Sequence, residues 1–514
     1  MHRSGLILVG VLLSGCSEPA SLLIEVAHPS GFDPAAVRGI LTLSVERAGG
    51  GLVREGKMDT RELGSKQRLF EGLDLSEGER YQLRLAIQLD AQETACADSG
   101  RRAVGLSPAF LYEQSTESVS IYVDCADASS PTGQLVKKRV YHTATLLQTP
   151  APHGQVIITG GAEPSTDLEK PESAELLDSL ERYDPVSGTF TLLSGKLGRP
   201  RLLHSASASP DGMEVTVAGG MDKVVVVSKT VLSSVKTVER VRDGRVSPLP
   251  ELTEARSYHG AADVGGALAL VGGVGQSVVN VLKDLELVDP SGAAPTAVVP
   301  MTWPRLLPVV VPLDARRVLI SGGVRLENVD IADELLCLSG GCPCGAAPCV
   351  EKLSFGYGAG RGRYGMTGTR VECDGAGEGA VYIVGGSYKD ATTQAEQYFD
   401  DVLCVDLESP AALVSAGKLR RARSGHTTTL LERPDGGSRL LVAGGSSAGV
   451  LLASAELLDV TCRCEAGNSI TAQREVKLES QRALHTATRL ADGTVLLAGG
   501  IFVGFGAERF NPDR

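Results

Sequence analysis

Five of the eight histidines in this 514-residue chain stand at the same position of a recurring four-residue element that begins with arginine. Imidazole groups serve as general acids, general bases and metal ligands, so they are the first candidates for chemistry. A catalytic histidine is usually a single residue, whereas these recur once per element, and the recurrence favours a structural position. The five are His142, His204, His259, His426 and His485.

One short segment has the Gly-x-Ser-x-Gly pattern of a hydrolase nucleophile, with Ser447 at its centre. That pattern is catalytic where a strand turns sharply into a helix. The segment instead follows one of seven similar apolar runs, and the other runs lack the serine, so the match is interpreted as chance.

The N-terminus has the order of an export signal, with a basic start, an apolar run over residues 5–13 and small residues before Cys16. The run is too short for a transmembrane helix. It resembles the bacterial lipoprotein signal, which predicts a signal peptide over residues 1–15 and lipidation of Cys16. Ser17 follows the cysteine, and by the same resemblance this favours the outer membrane, with the periplasmic or surface side left open. The alternative is an ordinary secretory signal with an unrelated cysteine.

Ten cysteines remain after Cys16, an even number that fits disulfide bonding in an exported protein. Cys96 and Cys125 flank one predicted hairpin region and form the best single candidate pair. Four more lie in a loop rich in glycine and proline, at positions 337, 342, 344 and 349. A zinc or iron–sulfur site is the alternative there, but paired Cys-x2-Cys knuckles are absent, so disulfides are favoured and no metal is predicted.

The charge balance excludes one class of partner. Lys and Arg total 50 against 62 Asp and Glu, for a net charge of −12, which argues against nucleic-acid binding. Hydrophobic residues make up 42% of the chain, enough for a folded core, and the 61 glycines suggest many tight turns between short strands.

The first domain is predicted over residues 16–125. Within it, residues 20–125 alternate apolar and polar residues in short runs that are broken by Gly, Pro and Asp. This period-two pattern predicts antiparallel strands with one solvated face. Six or seven such strands suggest a small β-sandwich domain, Ig-like or transthyretin-like. Residues 126–131 are small and polar and are predicted to be a linker, followed by a second domain over residues 132–514.

The second domain repeats an apolar run that ends in two glycines, preceded in each copy by an Arg-x-x-His, Arg-x-x-Pro or Arg-x-x-Met element. The copies recur roughly every 50–60 residues, which indicates a repeat architecture. The glycine pairs are 160/161, 219/220, 272/273, 322/323, 385/386, 444/445 and 499/500. Several pairs are followed by a third strand with an acidic end.

A run that is apolar at nearly every position fits a strand covered on both faces, so each sheet must stack on its neighbours. The pattern resembles the kelch-repeat β-propeller family, in the galactose oxidase-like superfamily. The resemblance implies an all-β, seven-bladed propeller over residues 132–514. Because the chain ends after the third strand of the seventh repeat, residues 132–138 are predicted to supply its fourth strand and close the ring.

The resemblance also implies a role for the repeat arginines, which in some kelch proteins line the channel mouth and bind acidic groups. Such a ring on the ligand face would comprise Arg139, Arg201, Arg256, Arg305, Arg363, Arg423 and Arg482. The alternative is that each arginine bonds turn carbonyls or the acidic third strand of its own or the next blade.

The expected function is non-catalytic binding of a protein or glycan in the bacterial cell envelope, by a monomeric propeller without a cofactor. Specificity is expected in the long insertions over residues 162–179 and 339–360. The alternatives are an envelope enzyme and a structural envelope component. Tyr141-His142 and Tyr258-His259 resemble the Tyr-His element of galactose oxidase-like copper radical enzymes, but the further ligands of those enzymes cannot be assigned here.

Overall fold

The computed structural model describes most of the chain. The described residues are 10–13, 20–48, 50–62, 68–73, 75–113, 118–164, 174–225, 231–276, 280–291, 297–324, 332–338, 347–356, 362–373, 377–390, 393, 395–408, 413–433, 435–504 and 506–513. Cys16, Cys342 and Cys344 therefore lie outside the described residues, and their predicted roles stay predictions. No helix among the described residues is long and apolar enough to cross a membrane.

The N-terminal residues form one nine-stranded sheet. Its strands, in chain order, are Gly10–Leu13, Ala20–Ala27, Gly39–Arg47, Leu52–Asp59, Arg68–Leu73, Arg80–Leu89, Arg102–Leu106, Phe110–Leu111 and Ser118–Cys125, with 3-10 turns at Thr60–Glu62 and Ala97–Ser99. The strand Arg80–Leu89 shows the predicted alternation, because buried residues alternate with accessible residues along it. The strand Gly10–Leu13, inside the predicted signal segment, pairs with Ala20–Ala27.

One core lies under this sheet, and its fully buried side chains include Ile24, Leu43, Ile87 and Ile121. The predicted Cys96–Cys125 disulfide is confirmed, with the two Cα atoms 5.2 Å apart. The hydrogen-bonded strands form one sheet, in which Phe110–Leu111 pairs with Arg80–Leu89 off the main path. The β-sandwich prediction is not specifically shown.

Seven antiparallel four-stranded sheets follow, which confirms a seven-bladed, all-β propeller. We label the strands of each blade A to D from the channel outward. Blade 1 comprises Thr143–Leu147, Gln155–Thr159, Ser179–Asp184 and Thr189–Lys196, and blade 2 comprises Ser205–Ala208, Val215–Ala218, Val238–Arg242 and Arg245–Leu249. Blade 3 comprises Gly260–Val264, Ala267–Val271, Asp284–Val288 and Ala297–Pro300, and blade 4 comprises Val309–Pro312, Arg317–Ser321, Ala332–Cys337 and Cys349–Gly356. Blade 5 comprises Thr367–Val371, Ala380–Val384, Asp401–Asp406 and Val414–Lys418, and blade 6 comprises Thr427–Glu432, Ser438–Ala443, Ser454–Val460 and Ile470–Lys477. Blade 7 comprises Thr486–Arg489, Val495–Ala498, Ala507–Asn511 and Ala128–Pro131.

The ring is closed by the N-terminal part of the second domain. The A strands of successive blades lie side by side, including those of blades 7 and 1. Strand D of blade 7 is Ala128–Pro131, which pairs with Ala507–Asn511. The prediction that residues 132–138 make this strand was wrong, and the predicted linker contains the closing strand. Residues 132–138 instead cross to blade 1, where the Gly133 amide donates to the Gly188 carbonyl at 2.9 Å.

Apolar B strands fill the spaces between blades. Val318 and Ile320 of blade 4, for example, pack with Ala269 and Val271 of blade 3, and all four are buried. Each blade thus covers the faces of its neighbours, which is the physical reason that these runs lack alternation.

The connections divide between two faces of the propeller. The A–B and C–D connections lie on one face, where the N-terminal domain docks, and we call it the N-domain face. The guanidinium of Arg509 lies 3.8 Å from the ring centre of Tyr122, and Asn511 Nδ2 donates to the Asp124 carbonyl at 2.9 Å. The B–C and D–A connections lie on the opposite face, which we call the loop face.

In the described part of the chain, the loop face carries four short two-stranded ribbons. They pair Met221–Val225 with Val231–Ser234, Ser387–Lys389 with Glu396–Tyr398, Ser446–Ser447 with Val450–Leu451, and Gln481–Ala483 with Ile501–Val503. Of the two predicted specificity insertions, the described ends of 162–179 lie on the loop face. The range 339–360 was wrongly predicted as one loop, because it begins at a C–D connection on the N-domain face and contains the strand Cys349–Gly356.

Two further disulfides join blades 5 and 6 on the N-domain face. They link Cys373 to Cys462 and Cys404 to Cys464, with Cα separations of 5.1 and 5.7 Å. Cys337 and Cys349, from the predicted cysteine loop, are disulfide-bonded as well.

Candidate functional site

The seven repeat arginines are buried within the blades. Six have no measurable exposure, and Arg363 is 8% exposed. In each blade, Nη1 donates to the carbonyl of the first glycine of that blade's pair, at 2.7 Å for Arg139 and Gly160. Every side chain is therefore directed into its own blade.

Each arginine also forms an ion pair with a carboxylate on strand C of the same blade. The pairs are Arg139–Glu181 at 2.5 Å, Arg201–Glu239 at 2.5 Å, Arg256–Glu286 at 2.6 Å, Arg305–Glu334, Arg363–Asp401 at 2.7 Å, Arg423–Glu456 at 2.8 Å and Arg482–Glu508 at 2.7 Å. Burial lowers the pKa of Arg139, Arg201, Arg423 and Arg482, while the partner carboxylates act in the opposite direction.

The glutamates also accept hydrogen bonds from backbone amides of the segment that enters the blade. Glu456 accepts hydrogen bonds from the Arg420 and Arg421 amides, at 2.8 and 3.3 Å. The arginines thus tie strand C to the glycine turn instead of presenting a ring of cations on the ligand face. The repeat arginines therefore bond the turn carbonyls and the acidic third strand of their own blades, which was the alternative to a ligand-binding ring. The acidic end of the third strand indicated this pairing in the sequence.

The glycine pairs connect each blade to the next. In all seven blades the amide of the second glycine donates to the carbonyl of the following blade's arginine, at 2.8–2.9 Å, and Gly500 closes the circle by donating to Arg139. Both glycines of a pair have positive φ, 61° and 94° at Gly444 and Gly445. Glycine is required because a Cβ on Gly444 would lie 2.5 Å from the Arg482 carbonyl oxygen.

The five repeat histidines bridge neighbouring blades. Their Nε2 atoms contact hydroxyls on the preceding blade, namely His142 to Thr486 (3.2 Å), His204 to Thr159 (2.9 Å), His259 to Ser205 (3.1 Å), His426 to Thr367 (3.0 Å) and His485 to Thr427 (3.0 Å). Burial, with the neighbouring arginines acting the same way, lowers the pKa of His142, His259 and His426 to about 3. Neutral imidazoles in separate seams fit a structural role.

The two Tyr-His pairs do not converge on a shared ligand set. His142 lies between blades 7 and 1, whereas His259 lies between blades 2 and 3, and each Nε2 is directed to a hydroxyl. Within the described residues, no group of three or more His, Cys, Asp or Glu side chains is placed to hold a metal ion.

Blade 4 departs from the pattern at both of its seams, since Pro308 and Met366 replace histidine. It also carries a buried carboxylate at Asp333, where most other blades have an apolar residue. Asp333 accepts hydrogen bonds from Ser321 Oγ at 2.7 Å and the Gly322 amide at 3.1 Å. Burial raises the pKa of Asp333 to about 7.

Asp333→Asn is expected to remove part of the pH dependence of stability. Because the folded-state pKa of Asp333 exceeds its ordinary value of 3.8, the folded protein binds an extra proton between about pH 4 and 7. The free energy of unfolding therefore falls as pH rises through this interval, by up to about 1.4 kcal/mol per pH unit. Denaturant unfolding of wild type and variant at pH 5 and pH 8 measures the difference. Parallel pH profiles for the two proteins would contradict the assignment.

A ring of seven residues surrounds the channel mouth on the loop face. Each is the third residue of its Arg-x-x-His, Arg-x-x-Pro or Arg-x-x-Met element, and all have φ between 49° and 65°. We call Tyr141, Leu203, Tyr258, Leu307, Gly365, Gly425 and Leu484 the mouth ring. Several are linked around the circle, as where the Leu484 amide donates to the Gly425 carbonyl at 2.8 Å. Sequence reasoning missed this ring because only two of the seven positions are glycine.

Five bulky residues of the mouth ring hold a left-handed conformation that costs L-residues about 1 kcal/mol each. Such conformations persist only where the surroundings impose them, and they cluster at ligand-binding sites. Leu203, Tyr258 and Leu484 pack partly against a buried apolar cluster that includes Leu202 and Met221. The mouth ring therefore carries large side chains at blades 7 and 1 to 4, and glycine at blades 5 and 6.

Large apolar side chains are exposed beside this ring. Val450 is 61% and Val503 is 64% exposed, on the ribbons of blades 6 and 7, which contact each other. Val136, Tyr141 and Ile501 are also exposed on the loop face. We call these five residues the apolar patch of blades 6, 7 and 1.

No protein-family model matches this chain, and no curated protein matches it. Among solved structures it is similar to one described as "Structure of YjhT", at 15% sequence identity and a TM-score of 0.44, with 64% of this chain and 97% of that chain covered. Similarity at this level carries no functional conclusion, and the propeller assignment rests on the strand pairing described above.

Proposed function

We propose that this chain is a non-catalytic binding protein of a bacterial envelope, a kelch-like propeller held to the membrane by a lipid on Cys16, and that it recognises a protein through its loop face. The observation that carries the proposal is the apolar patch. Contiguous exposed apolar surface on a folded protein typically marks an interaction site.

The composition of the patch favours a protein over a glycan as partner. Val136, Val450, Ile501 and Val503 are aliphatic and offer shape-complementary apolar contact. The mouth ring supports the same face, because its bulky residues keep a costly backbone conformation where glycine would relieve the cost, as it does at Gly365 and Gly425.

The strand pairing of the N-terminal domain supports an anchor on the side of the molecule away from the loop face. Ala20–Ala27 runs parallel to Ser118–Cys125, whose last residue leads into the closing strand of blade 7. Ala20 therefore lies at the end of the sheet away from the propeller. The eight residues of the strand Ala20–Ala27 span about 25 Å. An anchor four residues before Ala20 would leave the loop face turned away from the membrane.

The cysteines support an exported location for the chain. The described residues include the disulfides Cys96–Cys125, Cys373–Cys462 and Cys404–Cys464. Structural disulfides persist in oxidising compartments such as the bacterial periplasm and cell surface. A β-sandwich N-terminal domain belongs to the same proposal.

Val503→Asp is expected to reduce partner capture at least tenfold, because a carboxylate in the patch would have to be desolvated on binding. The measurement is affinity capture from solubilised envelope of the source organism, with quantitative mass spectrometry of what the wild-type protein retains. Leu52→Asp is the matched control, since Leu52 is 61% exposed on the N-terminal domain. Equal capture by V503D and wild type, or equal loss with L52D, would refute the proposed face.

A further inference from the structure

The ribbon of blade 5 places an acidic side chain beside the glycine positions of the mouth ring. In this ribbon Ser387 pairs with Tyr398 and Lys389 pairs with Glu396. Residues directly opposite each other share a face of an antiparallel pair, and so do alternate residues of one strand. Glu396 and Tyr398 therefore project from the same face, with Glu396 exposed and Tyr398 partly buried.

Two phenols fix the orientation of the Glu396 carboxylate. Tyr364 Oη donates to Oε1 at 2.9 Å, and Tyr398 Oη donates to Oε2 at 3.1 Å. Tyr364 directly precedes Gly365 of the mouth ring, and its backbone is held by paired hydrogen bonds with Ser387 at 2.8 and 3.0 Å. Burial and the hydrogen bond to Glu396 raise the pKa of Tyr364 to about 12, so its phenol remains a donor at neutral pH.

We propose that Glu396, Tyr364 and Tyr398 form a subsite for a cationic side chain, a lysine or arginine of the protein partner. The proposal rests on the proposed function and names the partner chemistry at the same face. An exposed carboxylate that is already oriented can bind a cation with little loss of its own freedom, and adjoining tyrosine rings add cation–π attraction.

Lys389 stands across the ribbon from Glu396. Within the described residues, these two side chains form no ion pair. The net charge of −12 further favours the approach of a cationic segment.

The subsite is continuous with the apolar patch. Tyr398 contacts Ser446 and Gly449 of the neighbouring ribbon on blade 6, and that ribbon carries Val450. A partner segment that combines apolar residues with one basic residue would therefore match the surface from blade 7 to blade 5. A purely apolar or an acidic segment would leave Glu396 desolvated without a counter-charge.

Small probes test the subsite without the natural partner. The full chain is titrated with N-acetyl-arginine amide, with the neutral analogue N-acetyl-citrulline amide and with chitotriose, and binding is followed by ligand-observed NMR. We expect the arginine probe to bind at least about tenfold more tightly than the citrulline probe, and Glu396→Gln to remove this preference. Tyr398→Phe keeps the ring, removes the O–H and should weaken the preference in part.

The control is Glu77→Gln, which removes an exposed carboxylate beside Tyr112 on the N-terminal domain and should leave probe binding unchanged. Equal binding of both amide probes, unchanged binding to E396Q, or preferential binding of chitotriose would overturn the cationic subsite. Those outcomes are separate from the proposed function, because V503D tests partner capture independently of Glu396.

Discussion

Arg423→Gln is expected to destabilise the propeller by about 3–5 kcal/mol, the cost of leaving a buried charge without its partner. Both side chains of the Arg423–Glu456 pair have no exposed surface, and their nearest atoms are 2.8 Å apart. Glutamine can keep one hydrogen bond to the Gly444 carbonyl but cannot neutralise Glu456. Denaturant unfolding under oxidising conditions, with the disulfides intact, gives the change in the free energy of unfolding.

Arg363→Gln is the matched control for this prediction. Its partner, Asp401, is 30% exposed, so water can solvate the carboxylate once the guanidinium is gone. The loss should be clearly smaller than for R423Q. If the two variants lose equal stability, burial of the carboxylate does not determine the cost, and the account of the buried pairs fails.

The double variant Arg423→Met with Glu456→Gln provides a second check. It leaves no charge buried, and the glutamine oxygen can still accept hydrogen bonds from the Arg420 and Arg421 amides. Recovery of most of the stability lost in R423Q would show that the single variant is damaged by the isolated Glu456 charge.

Gly444→Ala is expected to destabilise the protein by about 2–5 kcal/mol, from the left-handed backbone and from overlap with the next blade. The added Cβ would lie 2.5 Å from the Arg482 carbonyl oxygen and 2.9 Å from Cε1 of His485. Blade 7 would have to move away, which lengthens the bond from the Gly445 amide to that carbonyl. The change in the free energy of unfolding measures the effect.

Gly436→Ala separates the two causes within the same blade. Gly436 has φ of +83°, but a Cβ there would meet nothing within 4 Å. Gly436→Ala should therefore lower the free energy of unfolding by about 1 kcal/mol, the cost of the left-handed backbone conformation alone. A G436A variant as unstable as G444A would mean that close packing between blades is not what requires glycine at the pair.

Much of the candidate site lay beyond the sequence patterns. The recurrence of arginine and histidine was visible, and so was the acidic third strand, but the pairing of Arg139 with Glu181 joins residues 42 positions apart. Glu396 does not belong to the repeated pattern. Its hydrogen-bond partner Tyr364 comes from a different connection of blade 5, so their contact could not be predicted from the local sequence. The mouth ring was hidden since a left-handed backbone is signalled by glycine, and five of its positions carry other residues.

The sequence by itself determined the number and order of the blades, because each blade repeats a local pattern of arginine, apolar strand and glycine pair along the covalent chain. Only the tertiary structure decided which neighbouring segment closes the ring. Residues 132–138 resemble an outer strand in composition, yet Ala128–Pro131 pairs with Ala507–Asn511, where Ser129 Oγ donates to Glu508 at 2.7 Å. The tertiary structure also buried the arginines and exposed Glu396, since solvent access depends on which blade or ribbon comes to lie against each side chain, and that contact is not encoded in its local sequence.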